Sequence, residues 1–216
     1  MTTAKIRVLL VEDHTVVRQG LRRILESNPD IEIVGEVGEG RAALEAAKQL
    51  KPTIAIVDIS LPGLNGIEVT RHVTKAVPDT KVLILSMHAD DAYVRQGLKA
   101  GARGYLLKDA DDNDLFKAVT ALSEGGSYFS PAVSRLLLDG YLGEGGEASD
   151  ELSGLSDRER EVLQLIAEGK SNKEVAQILG LAVSTVESHR KHIMEKLDLH
   201  NTAALVRFAA RKGLIQ

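Results

Sequence analysis

Five short apolar runs, each followed by a segment of helical period, constrain the first half of this chain more than any other feature. The runs are Ile6–Val11, Ile31–Val37, Ile54–Asp58, Lys81–Ser86 and Gly104–Leu107. After them, Thr15–Glu26, Arg41–Leu50, Gly66–Ala76, Ala92–Ala100 and Leu115–Glu124 read as helices. Strands that are mostly apolar are those covered on both faces, and strand–helix alternation gives a parallel sheet with helices on each side. The expected fold of residues 1–125 is a five-stranded, doubly wound α/β sheet.

Open sheets of this kind bind ligands at the carboxyl ends of their strands. Glu12 and Asp13 follow the first run, Asp58 ends the third, Ser86 ends the fourth and Lys108 follows the fifth. Asp58 leads into Pro62, Gly63, Asn65 and Gly66, a dense group of turn formers. An aspartate before a turn is often no more than a cap. Three carboxylates around one crevice, however, repel unless a cation joins them. Hard oxygen ligands with room for water suit Mg²⁺. With Lys108 and such an ion neutralising the incoming oxygens, one carboxylate can attack phosphorus. Ser86 can donate a hydrogen bond to the transferred group.

These positions, with the loop Leu61, Pro62, Gly63, Asn65 and Gly66 and with Tyr105 on the fifth run, resemble the receiver domains of two-component response regulators. The resemblance spans about residues 5–125 and implies a flavodoxin-like fold. It implies that Asp58 takes a phosphoryl group from a phosphohistidine of a sensor histidine kinase. It also implies Mg²⁺ on Asp13, Asp58 and the Ser60 backbone carbonyl, with Glu12 acting mainly through water. Ser86, Tyr105 and Lys108 become the residues that bind or sense the phosphoryl group. Glu12 stands where Asp is frequent, Ser86 where Thr is commoner, and Asp109 where many receivers carry Pro. His14 is assigned no chemistry. A haloacid-dehalogenase-type phosphohydrolase would want an acid two residues after the nucleophile, where this chain has Ser60. A flavodoxin-type cofactor binder would want a phosphate loop where Glu12 and Asp13 repel phosphate.

Residues 126–152 read as a linker with a short helix at Pro131–Leu138. Within it, Asp139–Glu151 holds five acids, four glycines and no basic residue, which suits a solvated segment. The absence of cysteine excludes disulfides and thiolate zinc sites. The first residues do not read as a signal peptide, and no apolar run approaches the ~20 residues of a membrane span. A cytoplasmic, non-enzymatic protein is expected, with no membrane partner.

From residue 153 the pattern is wholly helical, with segments at about 157–168, 172–179, 184–197 and 202–212. Ser156 with Glu159, Ser171 with Glu174 and Ser184 with Glu187 have capping-box spacing, and Asn201 is a fourth candidate cap. The charge changes sign along the chain. Residues 1–149 hold 17 Lys+Arg against 21 Asp+Glu, whereas residues 169–216 hold 8 against 4. The stretch 171–190 has the helix–turn–helix layout, ending one helix at Gly180. Residues 153–214 resemble the LuxR-type DNA-binding domain, and the whole chain resembles a NarL/FixJ-type response regulator. The implied DNA contacts are Ser184, Thr185, Glu187, Ser188, Arg190, Lys191, His192 and Lys196, with Leu205 and Phe208 at a dimer contact. The implied partners are double-stranded DNA with paired half-sites, a second copy of the chain on activation, and RNA polymerase. Ala182 stands where a capping Ser is usual, which leaves Ser184 to start the helix.

Overall fold

The computed structural model describes residues 5–87, 90–142, 152 and 154–215. The chain divides into two compact units, Met1–Gly143 and Glu144–Gln216. In the first, β1 (Ile6–Val11), α1 (Thr15–Glu26), β2 (Ile31–Val37), α2 (Gly40–Leu50), β3 (Ile54–Asp58), α3 (Gly66–Ala76), β4 (Lys81–Ser86), α4 (Asp91–Lys99), β5 (Gly104–Leu107) and α5 (Asp112–Ser123) alternate as expected. α5 starts three residues before the apolar pattern because the Asp111 side chain caps it, accepting from the Asp114 N–H.

The sheet has six parallel strands rather than five, in the order β2-β1-β3-β4-β5-β6. The addition, β6 (Tyr128–Phe129), pairs with Gly104 and Tyr105 of β5. It leads into α6 (Pro131–Leu142), whose Val133 is fully buried in the same core layer as Tyr105. Two residues are too few to carry a period, so residues 126–142 read as linker although they are strand and helix of the first unit. The rest of the expected linker, residues 143–151, lies outside the described residues.

Strand alternation sorts the core into two layers. Val8, Leu10, Ile54, Ile56, Leu83 and Leu85 pack with Leu25 of α1 and Leu115, Val119 and Leu122 of α5. Leu9, Val11, Ala55, Val57, Val82, Ile84 and Tyr105 pack with α2, α3 and α4. By the same alternation Asp58 belongs to the first face, and Ser86 and Tyr105 to the second.

The second unit contains α7 (Asp157–Ala167), α8 (Asn172–Leu179), α9 (Val183–Lys196) and α10 (Thr202–Arg211). The capping boxes at Ser156 and Ser171 are both formed, and Asn201 caps α10. The third box is not. α9 begins at Val183 after Ala182, which has no side-chain oxygen to offer, and Ser184 lies inside the first turn. A missing cap of this kind costs about 1 kcal/mol. Gly180 takes the left-handed φ of 63° that closes α8 and opens the turn. Val162, Leu163, Val175, Val186, Ile193, Leu205 and Phe208 form the core. No helix among the described residues is long and apolar enough to cross a membrane.

Between β3 and α3 the turn is held at several points. The Ile59 N–H donates to Leu85 O (3.0 Å), Gly66 N–H to Ile59 O (2.9 Å), and Glu68 N–H to the Asn65 side chain (2.9 Å). Gly66 sits so close to the strand that a Cβ there would lie 2.1 Å from Asp58 O. Gly66→Ala should therefore push α3 away from the end of β3 and cost about 3 kcal/mol, at the upper end for overpacking. Urea unfolding of the full chain measures this, and a loss below about 0.5 kcal/mol would contradict the close approach.

Candidate functional site

The register of the sheet gathers the strand ends predicted to carry chemistry. Val11 pairs with Val57, so Glu12 follows beside Asp58, while Ser86 pairs with Leu107 and Lys108 comes next. The Lys108 N–H donates to Ser86 O at 2.8 Å and fixes where its side chain starts. This edge lies at the β1/β3 switch point, where the strand order reverses and helices depart to opposite faces.

Asp58 and Glu12 are almost fully buried, and Lys108 joins them. Its Nζ donates to Glu12 Oε2 at 2.8 Å and lies 3.0 Å from Asp58 Oδ1. Burial alone would push the Lys108 pKa down, but the bonds to Glu12 and Asp58 outweigh it and hold the ammonium above the usual lysine value. Glu12 Oε1 accepts the His14 N–H at 3.1 Å, so both oxygens of Glu12 are engaged. Its extra methylene lets it brace Lys108 and the turn. Asp58 Oδ2, by contrast, is buried with no hydrogen-bond partner among the described residues.

Ligand atoms of Glu12, Asp13, His14 and Asp58 lie within 4.8 Å of one another. Three carboxylates face one ammonium, which leaves two negative charges unbalanced. Like charges about 4 Å apart repel by roughly 4 kcal/mol at an effective dielectric of 20. A divalent cation fits this donor set, with Asp13 and Asp58 offering oxygens that the protein does not otherwise satisfy. Ser60 is half-buried two residues beyond Asp58, in the loop where its carbonyl was expected to serve.

Ser86 and Tyr105 are buried together on the other face of the sheet, and their hydroxyls are hydrogen-bonded. Burial raises the Tyr105 phenol to about 12, although the Ser86 bond partly opposes it. Arg18 went unrecognised in the sequence. Its guanidinium donates to the backbone carbonyls of Glu12 and Asp13, clamping the acidic turn. Only a fold that returns α1 over the end of β1 reveals that role.

In the helical unit, Ser184, Glu187, Ser188, Lys191 and His192 are exposed along α9, while Thr185 and Arg190 are half-buried. The Ser188 hydroxyl bonds back to Ser184 O. Four of the expected contact residues have partners or places within the unit that the sequence did not show. Arg190 donates to the Thr202 hydroxyl on α10. Lys196 Nζ donates to the buried Glu159 Oε2 at 2.7 Å, closing α9 onto the cap of α7. Leu205 and Phe208 are 0% and 4% exposed in the core, so any dimer contact through α10 falls mainly to its outward residues.

Two features, a buried acid–lysine pocket at the switch point of a parallel sheet and a separate helix–turn–helix unit, define a class of signal-responsive regulators. Residues 8–120 match the family described as response regulator receiver domain, and residues 153–209 match bacterial regulatory proteins, luxR family. The transcriptional regulatory protein MctR of Rhizobium johnstonii is 37% identical over 211 residues, covering 98% of this chain and 96% of that protein. The oxygen regulatory protein NreC of Staphylococcus carnosus is 38% identical over 215 residues, covering 97% and 99%. Among solved structures, the RcsB response regulator of Salmonella typhimurium aligns with a TM-score of 0.60 at 30% identity, covering 97% of this chain and 100% of that one. A structure of the RcsB–DNA complex aligns with a TM-score of 0.59 at 30% identity, covering 95% and 98%. The chain belongs to the two-component response regulators that join a receiver domain to a luxR-family DNA-binding domain.

Glu159 gives the helical unit a pH signature. Burial raises its pKa, but hydrogen bonds from Lys196 and Ser156 overcome this and bring it down to about 2. A folded-state pKa below the ordinary glutamate value of 4.5 means stability that is present above that value and lost as pH falls toward 2. Glu159→Gln, which can still cap, should remove on the order of 2 kcal/mol of that acid-side loss. Unfolding of both chains followed between these pH limits tests it; parallel curves would show that the Lys196 pair does not matter.

Proposed function

We propose that Asp58 is the phosphoacceptor of this regulator and that its phosphorylation controls DNA binding by the helical unit. One observation carries the reading. Asp58 is buried with one oxygen held by Lys108 and the other unpartnered, so a nucleophile is oriented without being used up. An oxygen of Asp58 attacks the phosphorus of a phosphohistidine on a sensor histidine kinase. The nitrogen–phosphorus bond breaks, and its electron pair leaves with the imidazole. Lys108 stays beside Asp58 and offsets charge on the phosphoryl oxygens. A Mg²⁺ ion held by Asp13 and Asp58, with Ser60 O as the expected third protein ligand, would supply the remaining neutralisation.

The acyl phosphate carries roughly −1.5 to −2 of charge in place of the carboxylate's −1, and presents three acceptor oxygens. Ser86 is the neighbouring donor, and drawing it toward that charge breaks or reorients its bond to Tyr105. Tyr105 pairs with Phe129 of β6, so the change reaches the segment that leads out of the first unit. Dimerisation then brings two helical units to paired half-sites and raises affinity through local concentration. Dimers and DNA complexes of the related RcsB support this reading. Ser184, Glu187, Ser188, Lys191 and His192 face the groove, and the reading makes the chain a cytoplasmic switch rather than a turnover enzyme.

Incubating the purified chain with acetyl phosphate and Mg²⁺ should add one phosphoryl group, detected as intact mass, and strengthen DNA binding. Asp58→Asn should abolish both effects. An Asp58→Asn chain that still gains the adduct, or binds DNA as tightly as phosphorylated wild type, sinks the proposal. Lys191→Ala should lower the slope of log affinity against log salt by about one unit. Lys196→Ala should lower it by less, because that ammonium is already committed to Glu159. Equal slopes for wild type and Lys191→Ala would remove Lys191 from the interface.

A further inference from the structure

We propose that His14 supplies a nitrogen ligand to a divalent cation in the acid pocket, fitting this receiver to borderline first-row cations such as Co²⁺ and Ni²⁺ as well as Mg²⁺. The inference rests on the reading of the pocket as a cation site and adds to it a residue and a class of ion. The pocket shows more than a cluster of acids. Asp58, 2% exposed, has an oxygen with no partner, and His14 lies within the same 4.8 Å set of ligand atoms.

His14 is the residue before α1, a place where Ser, Asp or Asn would serve as a cap. Its side chain makes no capping bond. Instead Nδ1 lies 2.8 Å from Asp13 Oδ1 and 3.4 Å from Glu12 Oε1. Asp13 Oδ1 gains no well-aligned hydrogen bond from this approach. Nδ1 and Asp13 Oδ1 therefore stand at a separation that one shared cation can span. Adjacent ligands of an octahedral ion with bonds of about 2.1 Å stand about 3.0 Å apart. The His14–Asp13 spacing is close to that edge. The ring is 69% exposed, which leaves it room to adjust.

The donor type sets the class of ion. Imidazole adds little to binding of Mg²⁺, which prefers oxygen and water, but binds well to Co²⁺, Ni²⁺ and Zn²⁺. His14 therefore adds a contact that the later first-row ions use and Mg²⁺ does not.

The test titrates the full chain with Co²⁺, Ni²⁺ and Mg²⁺ separately, following heat for all three and the visible absorption of bound Co²⁺. His14→Ala and His14→Gln should lower the ratio of Ni²⁺ to Mg²⁺ affinity by about tenfold and shift the Co²⁺ bands. Asp58→Asn should weaken all three ions. If the His14 variants leave the ratio and the bands unchanged while Asp58→Asn weakens every ion, the histidine ligand is overturned and the pocket as a cation site stands. If no ion binds in an Asp58-dependent way, both fail.

Discussion

An ammonium held between two buried carboxylates organises the first unit. Lys108 reaches Glu12 and Asp58 across three strands of the sheet, and none of the three would tolerate burial without the others. Removing one partner of such a cluster leaves a buried charge uncompensated, which usually costs several kcal/mol. The cluster thus requires β1, β3 and β5 to end at the same level, and the register delivers that. The same cluster is deliberately incomplete. With Asp13 beside it, the ammonium faces three carboxylates, and one Asp58 oxygen stays open, so the pocket is short enough of positive charge to accept more.

The two faces of the sheet divide the work. Asp58 and its partners belong to the face of α1 and α5, where Arg18 clamps the turn. Ser86 and Tyr105 belong to the opposite face, where burial and a shared hydrogen bond hold them. In the proposed switch, a phosphoryl group on Asp58 acts through Ser86 at the strand end on a core layer that includes Tyr105 and Val133 of α6.

Much of this was legible in the sequence because long-range placement followed from local pattern. Apolar runs located β1 to β5 within a residue, and strand-end position alone selected Glu12, Asp13, Asp58, Ser86 and Lys108. What stayed hidden depends on contacts that no local spacing encodes. Lys196 looks like one more basic residue on an exposed helix, yet it is bound to Glu159, 37 positions earlier. Arg190 likewise finds Thr202. Leu205 and Phe208 have helical spacing, which cannot tell a core face from an interface. β6 is invisible because a strand of two residues becomes a strand only when β5 offers its edge.

That short strand has a consequence for how far the folded receiver reaches. By pairing with Gly104 and Tyr105, residues 128–129 occupy the outer rim of a sheet whose bare edge would otherwise present unsatisfied amides to any neighbouring chain. Val133 seals the same flank. A receiver trimmed after α5 would keep its acid pocket but lose this self-made border, and would be prone to stick to its own kind.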